Sequence, residues 1–175
     1  MIARMPNFRR VLSALLLCAT LAACSPDYNW RQVQPADATF VALFPAKTSS
    51  HTQQVNLDGI RTDMAMTAAE VNGVMFAIGS ASLPSAALVQ PALAAMKTAM
   101  VKNIGGAISS DKAVAGPLPF NELVADGSRN GRPLRLTARF GARGQRVYQV
   151  VIIGAPQDVP AEAVTTFFDS FKPGS

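Results

Sequence analysis

The chain has 175 residues, 15% of them charged, and a formal net charge of +5. Three of its 16 basic residues lie within residues 1–23, so without that segment 152 residues remain, with 13 basic and 11 acidic side chains and a net charge of +2. A balance this close to neutral gives no reason to expect a nucleic acid as partner. The remaining length suffices for one domain with a core of ordinary size.

Residues 1–23 have the three zones of a secretory signal. The first ten carry three arginines and no acid, residues 11–21 are almost wholly apolar, and two alanines follow. The apolar run is about half as long as a permanent membrane-spanning helix requires. We therefore expect this segment to direct export and then to be removed, together with Cys18.

The end of this segment, Leu21-Ala22-Ala23-Cys24, resembles the lipobox of bacterial lipoproteins. The resemblance implies cleavage before Cys24, a thioether-linked diacylglycerol on its thiol and acylation of the new amine. In that family an Asp after the cysteine favours retention in the inner membrane. Ser25 occupies this position here, which favours the periplasmic face of the outer membrane. The folded domain would then contain neither a free thiol nor a disulfide.

Residues 24–37 are predicted to form a lipidated tether, because they include two prolines and many polar side chains. Trp30 is the only tryptophan of the chain. We expect it to pin the tether to the domain or to rest in the lipid interface, with binding of a partner as the alternative. The domain itself is predicted to span residues 38–173.

The first part of the domain has the pattern of a four-strand meander. Apolar runs and alternating residues predict strands at residues 39–44, 52–57, 60–71 and 74–80. Asp58-Gly59 and Asn72-Gly73 are typical of tight hairpin turns and separate the last three strands.

The apolar period then changes to that of a helix. One stripe at spacings of three and four predicts a helix that ends at Gly105-Gly106, and its members are Val89, Leu93, Met96, Met100 and Ile104. Either the regular helix starts near Pro91, or Pro91 kinks an earlier turn. Weaker strands are expected within residues 107–126. A strong strand pair follows at residues 134–140 and 146–153, around a turn at 141–144.

A second helix is predicted after Pro160, near the end of the chain. Val164, Phe167, Phe168 and Phe171 form its apolar stripe, and we expect the three phenylalanines to be buried against a sheet. Because hairpins join most strands, the sheet should be mainly antiparallel, with a central and a C-terminal helix packed on it. This is an α+β domain.

The layout resembles the PsbP-like fold, an α-β-α sandwich shared by a photosystem II extrinsic protein and a Ran-binding import factor. The resemblance rests on Phe40-Val-Ala-Leu-Phe-Pro45, on Asp58-Gly59, on the strand Arg146–Gly154 and on the ending Phe167-Phe-Asp-Ser-Phe-Lys172. The segment Cys24–Arg31 also resembles uncharacterised proteobacterial lipoproteins of this size. The fold hosts unrelated binding roles, so the resemblance implies a fold and no activity.

Residue types that carry catalysis are sparse. His51 is the single histidine, and neither a second histidine nor an acidic cluster lies near it in sequence, so the spacing of metal ligands is absent. No nucleophile elbow, dinucleotide-binding loop or carboxylate pair occurs either. We predict that the protein is not an enzyme and holds no cofactor or metal, with a hydrolase that uses His51 as the least favoured reading.

One charge feature remains. Six arginines and no acid lie between Gly127 and Gln157. Arg135, Arg139 and Arg146 are the candidates for binding an anionic partner, and Arg135 and Arg139 share a strand face. The competing interpretation is a solvated hairpin whose charges are balanced by acids from other segments. The leading hypothesis is a non-enzymatic envelope lipoprotein that binds a protein or an anionic envelope component, and the alternative is a periplasmic carrier of a small apolar ligand.

Overall fold

A computed structural model describes residues 28–37, 39–116 and 118–174. The predictions for the signal segment, for Cys24 and for Ser25 fall outside these described residues. The strands, in chain order, are β1 (Arg31–Val33), β2 (Phe40–Phe44), β3 (Ser49–Leu57), β4 (Ile60–Val71), β5 (Val74–Ser82), β6 (Ala107–Val114), β7 (Phe120–Arg129), β8 (Arg132–Arg143), β9 (Arg146–Gly154) and β10 (Lys172–Pro173). The two α-helices are α1 (Val89–Asn103), between β5 and β6, and α2 (Ala161–Ser170), between β9 and β10.

Seven strands form one sheet in the order β3-β4-β5-β9-β8-β7-β6, and every neighbouring pair is antiparallel. Hairpin turns make most of these connections. Asp58, Asn72 and Asn130 adopt positive φ, and each precedes a glycine with positive φ, as the tight two-residue turn demands. The predicted α+β class, with a mainly antiparallel sheet and two helices, is confirmed.

The helices cover opposite faces of this sheet. Alternate residues of each strand point to opposite sides, so the central strands β5 and β9 contribute side chains to both cores. On one face, Ala92 and Met96 of α1 pack into a core with Leu136 and Val151. On the other face, α2 packs beside β2 over the centre of the sheet. The predicted burial of the α2 stripe is confirmed, since three phenylalanines lie within this second core: Phe167, Phe168 and Phe171.

Two sequence-based expectations about the strands were wrong. The strand Phe40–Phe44 does not extend the meander, but pairs with β1 and β10 in a separate three-stranded sheet. Its apolar run predicts a strand and does not specify the partner. The turn after β8 lies at Gly144-Gln145 and not at 141–144. Gly141 belongs to the strand, where it pairs with Phe120 and Tyr148. A side chain would not fit there, since an added Cβ would lie 2.7 Å from the Phe120 ring.

Part of the predicted tether belongs to the fold. β1 pairs with β2, and the amide of Asn29 donates a hydrogen bond of 2.8 Å to the carbonyl of Pro45. The ring of Trp30 stacks on Tyr28, and both rings meet the edge of buried Phe76. Trp30 therefore pins this segment to the domain, and the packing reaches back at least ten residues before the predicted boundary at residue 38.

Candidate functional site

The six arginines of the acid-free stretch do not form one patch. Arg129 lies opposite Arg132 at one end of β8, and Arg143 lies opposite Arg146 at the other end. At a rise of about 3.4 Å per residue, the twelve residues of β8 separate these two ends by roughly 37 Å. Arg135 and Arg139 lie between the two pairs, on the sheet face that α2 covers.

The register of β7 against β8 supplies the acids that the stretch itself lacks. Asp126 lies opposite Arg135, and Glu122 lies opposite Arg139. The Nε of Arg135 donates to Asp126 at 2.7 Å, and the Nε of Arg139 donates to Glu122 at 2.8 Å. Two of the three predicted binding arginines are therefore ion-paired across strands, as the competing interpretation expected.

These two ion pairs differ in how much water reaches them. The Arg135 and Asp126 side chains are 46% and 44% exposed, whereas those of Arg139 and Glu122 are 19% and 14% exposed. Arg139 is also held from the other side, since its guanidinium carbon lies 4.7 Å from the centre of the Phe168 ring and its Nη1 lies 3.4 Å from a carboxylate oxygen of Asp169. Solvent screening weakens the first pair and leaves the second largely intact.

Glu122 is the centre of this network. Its Oε1 lies 3.1 Å from the ammonium of Lys112, while its Oε2 accepts from Arg139. Burial raises the pKa of the Glu122 carboxyl, but the hydrogen bonds from Arg139 and Lys112 together outweigh burial and bring that pKa below its ordinary value. Glu122 is therefore a structural carboxylate and not a candidate proton donor near neutral pH.

The remaining arginines make weaker contacts. Arg143 donates to the carbonyls of Pro173 and Gly174 at 3.4 and 3.0 Å. Arg146, the third predicted binding residue, is half-buried and makes no ion pair with any described residue. It lies at the end of the sheet, several residues away from Arg135 and Arg139 along the strands. The structure thus does not bring the three together.

A cleft opens beside the Arg139 network, and we call it the Arg139 cleft. It encloses about 340 Å³ between the β6–β7 connection, the end of α2 and β10. Its walls are mostly apolar and come from Val114, Leu118, Phe120, Phe168, Phe171 and Pro173. Three charged side chains line it as well, Arg139, Asp169 and Lys172. An apolar cavity with a few convergent polar groups is the usual anatomy of a binding site.

Local packing fixes the shape of the cleft. The Phe171 ring lies 5.7 Å from Phe120 and 5.3 Å from Tyr148 between centres, both edge to face. Phe120 in turn rests in the space that Gly141 leaves open. The Tyr148 hydroxyl donates to the carbonyl of Thr39 at 3.0 Å, which ties the central strand to the small sheet. The aromatic walls of the cleft are therefore held in place by the core.

A second depression of about 450 Å³ lies on the opposite sheet face, beside α1. Val89, Leu93 and Phe140 contribute apolar surface to it, and Asn121 lines it too. The side-chain oxygen of Asn121 is buried and accepts no hydrogen bond, while its Nδ2 lies 3.5 Å from the carbonyl of Lys112. A buried acceptor without a donor is costly, so the Asn121 side chain is a locally unsatisfied group beside this depression.

His51 lies on β3 at the edge of the sheet, where its side chain is exposed. It lines a shallow depression of about 300 Å³ that Asp37 also reaches. Asp37 is engaged elsewhere, because its Oδ1 accepts from the Oγ1 of Thr39 at 3.1 Å. No ion pair joins His51 to an acid in the described parts of the chain, and no group of three potential metal ligands occurs there.

The sequence showed the arginines but not the cleft. The sequence pattern indicates Arg139 as a candidate. It does not indicate the acids that pair with Arg139, Glu122 and Asp169, nor the roles of Lys172 and the aromatic side chains in lining the cleft. Their spacing along the chain carries no signal, since they meet only through the β7–β8 register and the placement of α2. Within the described residues, no helix combines the length and the apolar character needed to cross a membrane.

No protein-family model and no curated protein sequence matches the chain. Among solved structures, it is similar to a protein of unknown function and putative regulator, PA94 from Pseudomonas aeruginosa, at 15% identity over 78% of this chain and 90% of that one, with a TM-score of 0.40. It is also similar to the immunity protein TplEi of the type VI secretion system of the same organism, in a peptide complex and in the apo form.

The TplEi matches have 12% and 14% identity and TM-scores of 0.40 and 0.41. They cover 98% and 95% of this chain, which spans only 65% and 60% of those structures. Likeness at this level carries no functional argument for the present chain.

Proposed function

We propose that the protein is a lipid-anchored envelope protein whose PsbP-like domain is not an enzyme and binds a partner protein through the Arg139 cleft. In this proposal Cys24 carries the lipid, Ser25 sends the protein to the outer membrane, and the domain faces the periplasm. The observation that carries the binding role is the cleft itself, an apolar cavity with charged side chains among its lining residues.

The composition of the cleft favours a protein as the occupant. Protein interfaces are organised around an apolar or aromatic anchor that fills a pocket, with polar groups around it. The aromatic walls suit a large apolar side chain. Of the three charged residues that line the cleft, Arg139 and Asp169 pair with each other, whereas Lys172 makes no ion pair with a described residue. The partner segment should therefore present an apolar anchor next to an acidic residue that meets Lys172.

An anionic membrane component is less well supported as the partner. Arg135 and Arg139 are already neutralised by Asp126 and Glu122, so an anion would have to compete with carboxylates held at hydrogen-bond distance. The arginines that make no ion pair lie in separate groups at the two ends of β8. A surface that recognises phosphates usually concentrates free cations in one place.

Site-specific photo-crosslinking in intact cells tests the proposal. The photoreactive residue replaces Lys172, which is exposed and lines the cleft, and the control replaces Lys102, which is exposed at the end of α1 on the other sheet face. We expect one protein to be captured from position 172 and not from position 102. Lys172→Glu should weaken the capture made from a neighbouring cleft position, whereas Lys102→Glu should not. Equal capture from both positions would contradict the proposal.

A carrier of a small ligand is the second candidate, and the depression beside α1 supports it through its volume of about 450 Å³ and its apolar lining of Val89, Leu93 and Phe140, next to Asn121. Native mass spectrometry of the protein purified from its own envelope distinguishes the two functions. A bound small molecule that Asn121→Ala releases would favour the carrier. A protein free of small molecules, together with a crosslink from position 172, would favour the partner-binding module.

A further inference from the structure

The two edges of the seven-stranded sheet differ in how they are protected. At one edge, β6 carries Asp111 and Lys112, and its pairing with β7 is interrupted by a register shift between Ile108 and Ser110. Charges and bulges are the devices by which natural sheets prevent edge-to-edge pairing. At the other edge, β3 has the sequence Ser-Ser-His-Thr-Gln-Gln-Val-Asn-Leu, with no Lys, Arg, Asp, Glu or Pro.

The β3 edge, residues 49–57, is long, regular and open. All nine residues pair in register with β4 without a bulge. The first six side chains are exposed, and among the described residues no strand lies beyond β3. Its outward amide and carbonyl groups therefore form a row with no backbone partner in the described fold, which is the template that an additional strand would use.

We propose that the β3 edge binds the β3 edge of a second copy of this chain, antiparallel, about a two-fold axis through Gln53. Gln53 is the central residue of the strand, so this register overlaps all nine residues. Each residue then meets a partner on the same face of the sheet: Ser49 meets Leu57, Ser50 meets Asn56, His51 meets Val55, Thr52 meets Gln54 and Gln53 meets itself.

Self-association fits this strand better than the capture of a foreign peptide. The absence of charge means that no like charges oppose one another in the symmetric pair, which would be destabilising. The Gln53 amide can both donate to and accept from its copy across the axis. A foreign strand would need pockets for alternate side chains to be selected, whereas most of this edge is solvated and polar. A two-fold contact also closes on itself, and the charged, bulged β6 edge opposes further growth into a filament.

A single engineered cysteine tests the register in the full-length protein in its own cells. Gln53→Cys places two thiols on residues that face each other about 4.5–5.5 Å apart between Cα atoms, within disulfide range. Ala113→Cys, exposed on β6, is the matched control. We expect mild oxidation to crosslink the first variant as a dimer well above the level of the control and of the unaltered chain. Equal dimer formation by both variants, no dimer from Gln53→Cys, or a crosslink only to a different protein would overturn the proposal.

Opposite charges give a second test that misfolding cannot imitate. Gln53→Lys and Gln53→Glu each place like charges across the axis, so we expect the dimer association constant to fall about ten-fold or more. Mixing the two variants should restore association, because Lys then faces Glu. Sedimentation velocity of the purified, lipidated protein in detergent measures the parent, each variant and the mixture. Variants that associate as the parent does, or a mixture that stays dissociated, would refute the two-fold pairing. Lys172→Glu should leave association unchanged, since the Arg139 cleft lies beside the opposite edge of the sheet.

Discussion

Replacing Arg139 and Arg135 separately by Gln should have very different effects on stability. Arg139→Gln removes the 2.8 Å hydrogen bond to Glu122 and the contact with the Phe168 ring. A hydrogen bond to a charged group contributes about 1.5–3 kcal/mol, and a cation–π contact about 0.5–1 kcal/mol. We therefore expect Arg139→Gln to lower the free energy of unfolding by about 2–4 kcal/mol. Arg135→Gln breaks a pair that is almost half exposed and should cost no more than about 1 kcal/mol.

Urea unfolding followed by the fluorescence of Trp30 measures both variants. This single tryptophan packs edge to face on buried Phe76, with ring centres 6.2 Å apart, and loses that environment on unfolding. A double-mutant cycle with Glu122→Gln isolates the pair, and we expect a coupling energy of about 1–3 kcal/mol. If Arg139→Gln costs no more than Arg135→Gln, the argument that burial separates the two pairs is wrong.

Three further predictions follow from the core, the carboxylates and the anchor. Phe167→Ala should cost about 3–5 kcal/mol in urea unfolding, because its fully buried ring touches those of Phe44 and Phe76; a cost below 1 kcal/mol would mean that α2 is an appendage. Hydrogen bonds from basic side chains lower the pKa values of Asp111, Glu122 and Asp126. Their contribution to stability is present above their ordinary pKa values of 3.8–4.5 and is lost as the pH falls through the lowered values. Glu122→Gln should therefore flatten the acid side of the stability profile, and an unchanged slope would contradict this. Cys24→Ala should abolish lipid labelling, and Ser25→Asp should move the protein towards the inner-membrane fraction; a Cys24→Ala variant that is still cut and still membrane-bound would refute the lipoprotein assignment.

Local patterns in the sequence were enough to predict the individual turns and helices. The hairpin turns at Asp58-Gly59 and Asn72-Gly73 need residues that tolerate positive φ, and those residues are visible in the sequence. Pro91 lies in the first turn of α1, where its missing amide costs nothing, so the helix begins just before it. Such features depend on neighbours a few residues apart, which is why they could be predicted.

Contacts between distant segments could not be predicted in the same way. The pairing of β5 with β9 at the centre of the sheet joins residues about 70 positions apart, and no local pattern encodes that choice. The same holds for the register that sets Glu122 against Arg139, on which the whole Arg139 cleft depends. The sequence therefore indicated the arginines of this hairpin and not their partners, whereas the fold pairs two of the six, Arg135 and Arg139, with Asp126 and Glu122.

The packing of Tyr28 and Trp30 on the domain also limits how far the protein can act. If Cys24 carries the lipid, Tyr28 follows it by only four residues along the chain. A chain of that length spans at most about 14 Å in any conformation. The domain would then be confined to a layer next to the lipid headgroups and could meet only targets that lie in or against the same membrane. Partners in the opposite membrane would be out of reach unless they extended across the periplasm themselves.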